Sequence, residues 1–295
     1  MSQLYDKIVI TGAGGMLARS LAETLKQRGV DAIPLGRAAL DIADENSVQH
    51  MFREHRPTLV LNCAAHTKVD LCEDEPAKAD AINGYAVGTL AMLSREYGAT
   101  LVHYSTDFIF DGSSKRPYRV DDPVNPISAY GRSKLLGEQQ LQAKPPPRWL
   151  IVRTAWAYGV GGVNFPKIIV DRARQGQPLK VVDDEIGSPT YTLDLAQATL
   201  DLLDRDANGI WHVTNSNQVS RYEYARAILD EFALKTELTP ITTADWFEIR
   251  PKQARRPAYS VLDLDPIAGL VGKPMRPWRE ALRAFHEEVD RRGSF

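Results

Sequence analysis

The first half of the chain alternates short apolar runs with stretches of helical periodicity, and this alternation restricts the fold more than any other feature. Four of the five apolar runs are nearly continuous in Val, Ile and Leu, as in strands covered on both faces. The predicted strands are 7–11, 31–35, 58–64, 100–106 and 149–155. Helical patterns lie between them, as at 16–29 and 77–98, and each closes on a glycine. Strand–helix alternation with right-handed crossovers predicts an α/β fold with a doubly wound parallel sheet.

The second half of the chain predicts a smaller lobe, because the regular alternation fades and turns become frequent after about residue 158. We expect residues 1–158 to form a Rossmann-type dinucleotide-binding domain, to which a helix and strand at 191–214 return. Residues 159–190 and 215–295 are expected to form a smaller α/β substrate-binding lobe.

The bulk composition indicates a globular protein: 43% of the 295 residues are hydrophobic and 25% are charged. The formal net charge is −2, from 36 basic and 38 acidic residues that are mixed along the chain, so neither nucleic acid nor a membrane is expected as a partner. No leader pattern and no apolar run of about 20 residues is found, which predicts a cytoplasmic protein. Cys63 and Cys72 lie outside any zinc-ligand spacing and are expected to be free thiols, and no metal site is predicted.

The glycine-rich segment "TGAGGMLA" follows the first predicted strand, at the edge where ligands of such sheets bind. Gly12, Gly15 and Ala18 fit the spacing GxxGxxA, which gives a tight turn, close approach to a pyrophosphate and close helix packing. The stricter GxGxxG pattern fails, because Leu17 holds its last position. A simple strand–helix turn is the alternative, but the placement favours a dinucleotide site.

The segment after the second predicted strand bears on the choice of cofactor. "PLGRAALDI" places Arg37 where a strict NAD-binding protein often has an acidic residue for the ribose hydroxyls. A guanidinium there suits a 2'-phosphate, so NADPH is favoured and NADH is the alternative. A solvated surface arginine is the competing interpretation.

The fourth predicted strand delivers Thr106 and Asp107 to the edge of the cleft, and the helix that follows carries Tyr130 and Lys134. Ser128 is the expected N-cap of this helix, which must end before Pro145. Residues four apart lie on one helix face, so both side chains can address one ligand. A packed tyrosine beside a solvated lysine is the alternative, which the glycine loop and Thr106 make less attractive.

This set of side chains suits carbonyl reduction. A phenol with a pKa of about 10 is a poor acid partner at neutral pH unless a cation favours its anion, and Lys134 is expected to do so. Thr106 would give a second hydrogen bond to the carbonyl while Tyr130 donates the proton and hydride arrives from a nicotinamide.

With these residues in place, the chain closely resembles the dTDP-4-dehydrorhamnose reductase family of the extended short-chain dehydrogenase/reductase superfamily. The resemblance rests on segments spread over nearly the whole chain: "TGAGGMLA", "NCAAHTKVD", "STDFIFDG", "YGRSKLLGE", "RTAWAYG", "DEIGSPTYTLDLA" and "RRPAYSVLD". It implies NAD(P)H-dependent reduction of the 4-keto group of dTDP-4-dehydro-β-L-rhamnose to dTDP-L-rhamnose, as part of cell-surface polysaccharide biosynthesis.

The resemblance also implies roles for individual positions. The catalytic positions are Thr106, Tyr130 and Lys134. The cofactor contacts are Gly12, Gly15, Met16, Leu17, Arg37, Asp41, Ile42, Ala64, Ala65, Tyr130 and Lys134. The substrate contacts are Asp70, Thr106, Asp107, Trp156, Asn164 and Arg256. Residue chemistry supports part of this assignment, because Arg255 and Arg256 offer cations to a diphosphate. Trp156 offers a ring that could stack on a sugar or base, and a tryptophan in the hydrophobic core is the alternative interpretation.

Two positions distinguish this chain from relatives, Phe108 from related dehydratases and Ser20 from some members of the family, and Phe108 also replaces the tyrosine that many family members have. Related dehydratases have a glutamate at the position of Phe108, and the lack of that carboxyl argues for simple reduction. Some family members form magnesium-bridged dimers through a glutamate where this chain has Ser20, which argues against a metal-bridged dimer. The sequence does not fix the oligomeric state. The alternatives left open are a non-catalytic NADP-binding regulatory subunit and a reductase that makes a talose epimer or uses a GDP-linked sugar.

Overall fold

A computed structural model describes residues 5–293 and residue 295. Twelve strands were assigned in this part of the chain, five of them in the predicted strand regions. They are β1 Ile8–Thr11, β2 Ile33–Leu35, β3 Leu59–Asn62, β4 Thr100–Thr106, β5 Trp149–Thr154, β6 Ala157–Tyr158, β7 Leu179–Val182, β8 Ile186–Gly187, β9 Thr190–Tyr191, β10 Gly209–His212, β11 Val219–Ser220 and β12 Leu238–Ile241.

Helices connect and cover these strands. They are α1 Met16–Gln27, α2 Glu45–His55, α3 Val69–Asp74, α4 Pro76–Ala79, α5 Ala86–Tyr97, α6 Ala129–Ala143, α7 Phe165–Arg174, α8 Thr192–Asp204, α9 Arg221–Glu231, α10 Thr243–Ile249, α11 Asp265–Val271 and α12 Trp278–Arg292. A π-helical turn at Asp80–Tyr85 joins α4 to α5, and a 3₁₀ turn at Asp107–Ile109 follows β4.

The main sheet has six strands in the order β2-β1-β3-β4-β5-β10, and every pair is parallel. β1, β3 and β4 are buried throughout, because helices cover both faces of the sheet. One apolar cluster packs α1 and α8 on one face, and another packs α2 and α5 on the opposite face. The predicted Rossmann-type parallel sheet is therefore confirmed.

The helix predicted at 77–98 differs in detail from the observed one. It is interrupted by the π-helical turn at Asp80–Tyr85, where Gly84 meets α6 so closely that a Cβ atom would lie 2.5 Å from Leu136 Cδ2. The extra residue of a π turn is thus accommodated where two helices touch, a tertiary contact that periodicity does not reveal. The same helix does end at Gly98, which has a φ of +70°.

The remaining strands form three two-stranded pairs: β6 with β9, β7 with β12, and β8 with β11. A separate apolar cluster packs α7, α9 and α12 around Tyr158, Tyr224 and Phe285. β10, from the 191–214 segment, forms the edge of the main sheet beside β5. The exact lobe boundaries remain a prediction. Among the described residues, no helix is both long and apolar enough to cross a bilayer.

Candidate active site

The carboxyl ends of the central strands bring the predicted site residues together. Thr11 at the end of β1 is in register with Asn62 at the end of β3, and Asn62 is in register with His103 of β4. Thr106, the last residue of β4, is in register with Thr154 of β5. The loops that leave these strands therefore open at one edge of the sheet, where ligands of open α/β sheets bind.

The glycine loop after β1 has the form of a close-approach turn. Gly12 has a φ of +67°, and a Cβ atom there would lie 2.8 Å from the Ala64 backbone. The Gly15 amide donates to the Gly12 carbonyl at 2.9 Å, and Met16 and Leu17 begin α1. This cradle fits a dinucleotide, because the loop leads directly into a helix N-terminus beside the Ala64–Ala65 segment.

The end of β2 adjoins the same loop, because the Ala13 amide donates to the Leu35 carbonyl at 3.1 Å. Arg37 is 76% exposed and lies 3.5 Å from the Asp41 carboxylate, which also accepts from the Ala43 amide. Such an exposed pair contributes little to stability, so the guanidinium is available to an incoming anion. Ile42 is buried beneath this turn.

Thr106 and Tyr130 approach each other across the edge of the sheet. The Thr106 hydroxyl donates to Asp107 Oδ1 at 2.9 Å and accepts from the Phe108 amide at 3.2 Å. The Tyr130 ring is half-buried and meets the edge of the Phe108 ring, with 5.5 Å between centroids. Ser128 caps α6 by accepting from the Gly131 amide at 3.1 Å, as predicted, so the tyrosine lies in the first turn.

The surroundings of the Tyr130 phenol favour its protonated form. Burial and the charge of Asp107 raise the pKa of Tyr130 above its usual value, and a hydrogen bond with Thr106 lowers it only in part. Stabilisation of the phenolate by Lys134 stays a prediction. In this structure Lys134 Nζ donates to the Tyr104 carbonyl at 2.5 Å and lies 3.3 Å from His103 Nε2. The phenol is therefore held protonated, as a proton donor requires.

Two further ionisable groups at this edge have shifted pKa values. Burial raises the pKa of Asp107 to about 6, although Ser260, Thr106 and the charge of Arg221 all lower it. Burial also lowers the pKa of Lys134 to about 8, against the opposing charge of Glu138. Shifts of this kind, caused by burial and by specific charge partners, are characteristic of functional sites.

Two predicted substrate residues, Asp70 and Arg256, are paired with each other, and a third, Asn164, caps a helix. Arg256 Nη2 is 3.2 Å from Asp70 Oδ1, which also accepts from the Ala254 amide. Asn164 is buried and caps α7, since Oδ1 accepts from the Lys167 amide while Nδ2 donates to the Gly159 carbonyl. Sequence reasoning did not predict this capping role.

Trp156 follows β5 in a left-handed conformation, with a φ of +46°, and its ring faces a cation that sequence reasoning missed. The Arg221 guanidinium carbon lies 3.5 Å from the Trp156 ring centroid, and its nearest carboxylate is Glu185 at 3.8 Å. The only available signal was the position of Arg221 directly after a short strand, which is too weak to identify a site.

A cavity of about 300 Å³ lies beside Arg221 and Glu185, among residues of the predicted smaller lobe, and neither Thr106 nor Tyr130 is among its lining residues. It combines cations with aromatic and aliphatic side chains, and it is lined by Phe165, Ile168, Ile169, Arg172, Leu179, Lys180, Val181, Val182, Glu185, Arg221, Trp246, Gln253 and Arg256. Several guanidiniums beside flat rings suit a ligand that carries phosphates and a base or sugar.

Within residues 5–293 and 295, no group of three or more His, Cys, Asp or Glu side chains is placed to hold a metal ion. Ser20 is buried and its hydroxyl donates to Thr192 at 2.8 Å. Cys63 and Cys72 are free, as predicted.

A parallel sheet of this order, with a glycine turn after β1 and a Tyr–Lys helix after β4, places the chain among oxidoreductases of the extended short-chain dehydrogenase/reductase class. Within that class the chain belongs to the family described as RmlD substrate binding domain, whose model matches residues 6–291. The predicted membership in the dTDP-4-dehydrorhamnose reductase family is thereby confirmed.

Three known proteins illustrate the similarity. The spore coat polysaccharide biosynthesis protein SpsK of Bacillus subtilis is 44% identical, over 96% of this chain and 97% of its own. A dTDP-4-dehydrorhamnose reductase of Streptomyces griseus is 41% identical, over 93% of this chain and 91% of its own. The crystal structure of dTDP-4-dehydrorhamnose reductase from Bacillus anthracis in complex with NADP has a TM-score of 0.90 at 35% identity, and covers 96% of this chain and 99% of its own.

Proposed function

We propose that this chain catalyses the NADPH-dependent reduction of the 4-keto group of dTDP-4-dehydro-β-L-rhamnose to give dTDP-L-rhamnose. The observation that carries the proposal is the meeting of the Thr106 hydroxyl and a half-exposed, protonated Tyr130 phenol at the edge of the sheet that also holds the Gly12 turn. Relatives named for this reaction, and one solved with NADP, support the choice of substrate and cofactor.

Each side chain has a defined task. Tyr130 donates its proton to the carbonyl oxygen, which would otherwise develop negative charge, and Thr106 donates a second hydrogen bond to the same oxygen. When bound, NADPH supplies the hydride. In its protonated form, Lys134 provides positive charge beneath the site. Phe108 lies against Tyr130 where an acid/base group for elimination would be needed, which supports simple reduction.

Binding of the two ligands is assigned to opposite sides of this centre. Gly12, Gly15, Met16, Leu17, Ala64 and Ala65 would hold the cofactor, with Arg37 facing the 2'-phosphate and Asp41 and Ile42 beside it. Asp70, Asp107, Trp156, Asn164 and Arg256 would hold the sugar nucleotide, joined by Arg221 and the cavity in the smaller lobe. A cytoplasmic location belongs to the same proposal, since NADPH is the reductant.

The test is a coupled assay with the purified chain. dTDP-4-dehydrorhamnose is formed in place by its upstream enzymes, and oxidation of NADPH or NADH is followed in parallel reactions. We expect substrate-dependent oxidation, faster with NADPH, and a product sugar identified as rhamnose. A talose product would indicate a reductase that makes the epimer at carbon 4. Activity with only a GDP-linked sugar would indicate a different nucleotide sugar as the substrate. No oxidation with any 4-keto nucleotide sugar, together with a co-purifying enzyme, would support the non-catalytic regulatory subunit instead.

A further inference from the structure

A continuous chain of buried polar side chains runs beneath the candidate active site, from the glycine turn to Lys134. The Thr11 hydroxyl donates to Asn62 Oδ1 at 2.7 Å, and Asn62 Nδ2 lies 3.2 Å from His103 Nδ1. His103 Nε2 lies in turn 3.3 Å from Lys134 Nζ. All four side chains are at most 2% exposed. Buried polar groups at these distances must be matched donor to acceptor, because an unmatched contact costs free energy.

The hydrogen-bond donors and acceptors of these four side chains restrict the protonation state of Lys134. Burial and the Lys134 charge hold the pKa of His103 well below its usual range, so the imidazole is neutral, with one N–H donor and one acceptor nitrogen. Because Asn62 Oδ1 accepts from Thr11, the amide nitrogen of Asn62 donates to Nδ1. The imidazole proton must then be on Nε2, which faces Lys134. An ammonium has only donors, so this arrangement is matched only when Lys134 is a neutral amine.

The charged form of Lys134 needs the opposite arrangement. Nε2 must accept from the ammonium, Nδ1 must carry the proton, and the Asn62 amide must turn so that its oxygen accepts from Nδ1. The Asn62 amide nitrogen then donates to the Thr11 hydroxyl, which already accepts from the Ala64 amide at 3.1 Å. Thr11 loses its own acceptor in this arrangement. The Thr11 hydroxyl therefore favours the first arrangement.

We propose that His103 is a positioning residue of the reductase, whose two tautomers accompany the two protonation states of Lys134, with Asn62 and Thr11 selecting between them. The inference rests on the proposed function and deepens it, because it connects the turn assigned to the cofactor with the amine beneath the reacting carbonyl. His103 and Asn62 do not touch the reacting atoms in this role; they act through Lys134.

Three other groups surround the Lys134 amine: the Glu138 carboxylate, the Cys63 thiol and the Tyr104 carbonyl. Glu138, on the same helix, is held by Arg153 at 2.8 Å, and its charge favours the ammonium. Cys63, at the end of β3, is kept as a thiol because burial raises its pKa. From β4, the Tyr104 carbonyl accepts from Nζ in either protonation state. Of the two groups within hydrogen-bond distance of the amine in the described part of the chain, the Tyr104 carbonyl can only accept, whereas His103 can change from donor to acceptor without taking on a net charge.

Two variants test the inference. His103→Gln supplies a carbonyl oxygen that accepts from the ammonium without a tautomer change. Thr11→Val removes the hydroxyl that orients Asn62 while keeping the shape of the side chain. Both should move the protonation midpoint of Lys134 upward from about 8, by at least about half a pH unit. The midpoint is read from NMR of isotope-labelled lysine side-chain nitrogens, assigned by the signal that Lys134→Met removes.

The matched control is His212→Gln. His212 is equally buried, lies on β10 of the same sheet and also faces a cation, with Nε2 3.5 Å from Arg153 Nη1. We expect the Lys134 midpoint to be unchanged in this variant. Circular dichroism establishes that each protein is folded, and Thr11→Val keeps the inference testable if His103→Gln does not fold.

The catalytic part of the inference is read from the pH profile of kcat/KM. The part of this profile that reflects titration of Lys134 should shift by the same amount as the NMR midpoint in both variants. It should not shift in His212→Gln. If the NMR midpoint of Lys134 is unchanged in both His103→Gln and Thr11→Val, the link between the His103 tautomer and Lys134 protonation is overturned. If the midpoint moves but the pH profile of kcat/KM does not, the role of His103 in catalysis is overturned. If wild type oxidises no NADPH with the keto sugar, the proposed function fails, and the NMR titration still decides whether His103 controls Lys134.

Discussion

Thr106 and Asp107 are joined by a hydrogen bond of 2.9 Å from the Thr106 hydroxyl to the neighbouring carboxylate. The proton that Thr106 would offer to a substrate carbonyl is thus directed to Asp107 in this structure. A carbonyl must compete with a carboxylate for it, unless Asp107 is protonated and itself donates to Thr106. The pKa of about 6 places that second situation close to neutral pH. The strength of the Thr106 hydrogen bond to substrate is therefore linked to the charge of its neighbour.

The first prediction concerns the proton donor. Tyr130→Phe removes the phenolic hydroxyl but keeps the ring that packs against Phe108. We expect turnover to fall by at least about 100-fold, the scale of lost general acid catalysis, while NADPH affinity changes little. Steady-state kinetics and cofactor fluorescence titration measure the two quantities. Full turnover in this variant would remove Tyr130 from the mechanism.

The second prediction concerns the pH dependence of stability through Asp107. Its pKa is raised from 3.8 to about 6 on folding, so the folded state binds more protons in that interval, and stability falls as pH rises through it. Asp107→Asn abolishes this contribution. Relative to wild type, the free energy of unfolding of the variant should therefore increase by about 2 kcal/mol between pH 4 and pH 6.

Urea denaturation of both proteins at a series of pH values measures this difference. Because all other carboxylates are common to the two proteins, their contributions cancel in the comparison. A difference that stays constant with pH would show that Asp107 has an ordinary pKa.

Parts of this description follow from sequence because they depend on local pattern. The apolar runs around Val60 and Leu61 predict strands buried on both faces, and Ser128 predicts the start of α6. Other parts depend on contacts between distant segments. The direction of Lys134 is set by the Tyr104 carbonyl, and Arg221 reaches Trp156 from a helix 65 positions further along the chain. His103 was detectable in principle, as a histidine in the middle of the fourth predicted strand.

The third prediction concerns substrate binding by Arg256. Its guanidinium is partly buried against Asp70 and lines the cavity in the smaller lobe. Arg256→Gln should raise KM for the sugar nucleotide by about 10- to 100-fold, the scale of one charge-assisted hydrogen bond, and change kcat much less. Arg255→Gln is the matched control, because Arg255 is adjacent and exposed. Equal effects of the two substitutions on KM would indicate only a general loss of positive charge.

The last prediction tests the glycine turn as a cofactor cradle. Gly12→Ala places a methyl group 2.8 Å from the Ala64 backbone at a φ of +67°, so the turn must open or the protein must bear strain of about 1–3 kcal/mol. Gly14→Ala is the control, since no atom lies within 4 Å of a Cβ at that position. We expect Gly12→Ala to lower both the thermal midpoint and NADPH affinity, and Gly14→Ala to leave the thermal midpoint nearly unchanged. Thermal unfolding with and without NADPH measures both effects, because a ligand that binds the folded state raises its midpoint. An unchanged NADPH-dependent rise in Gly12→Ala would show that the cofactor does not depend on this turn.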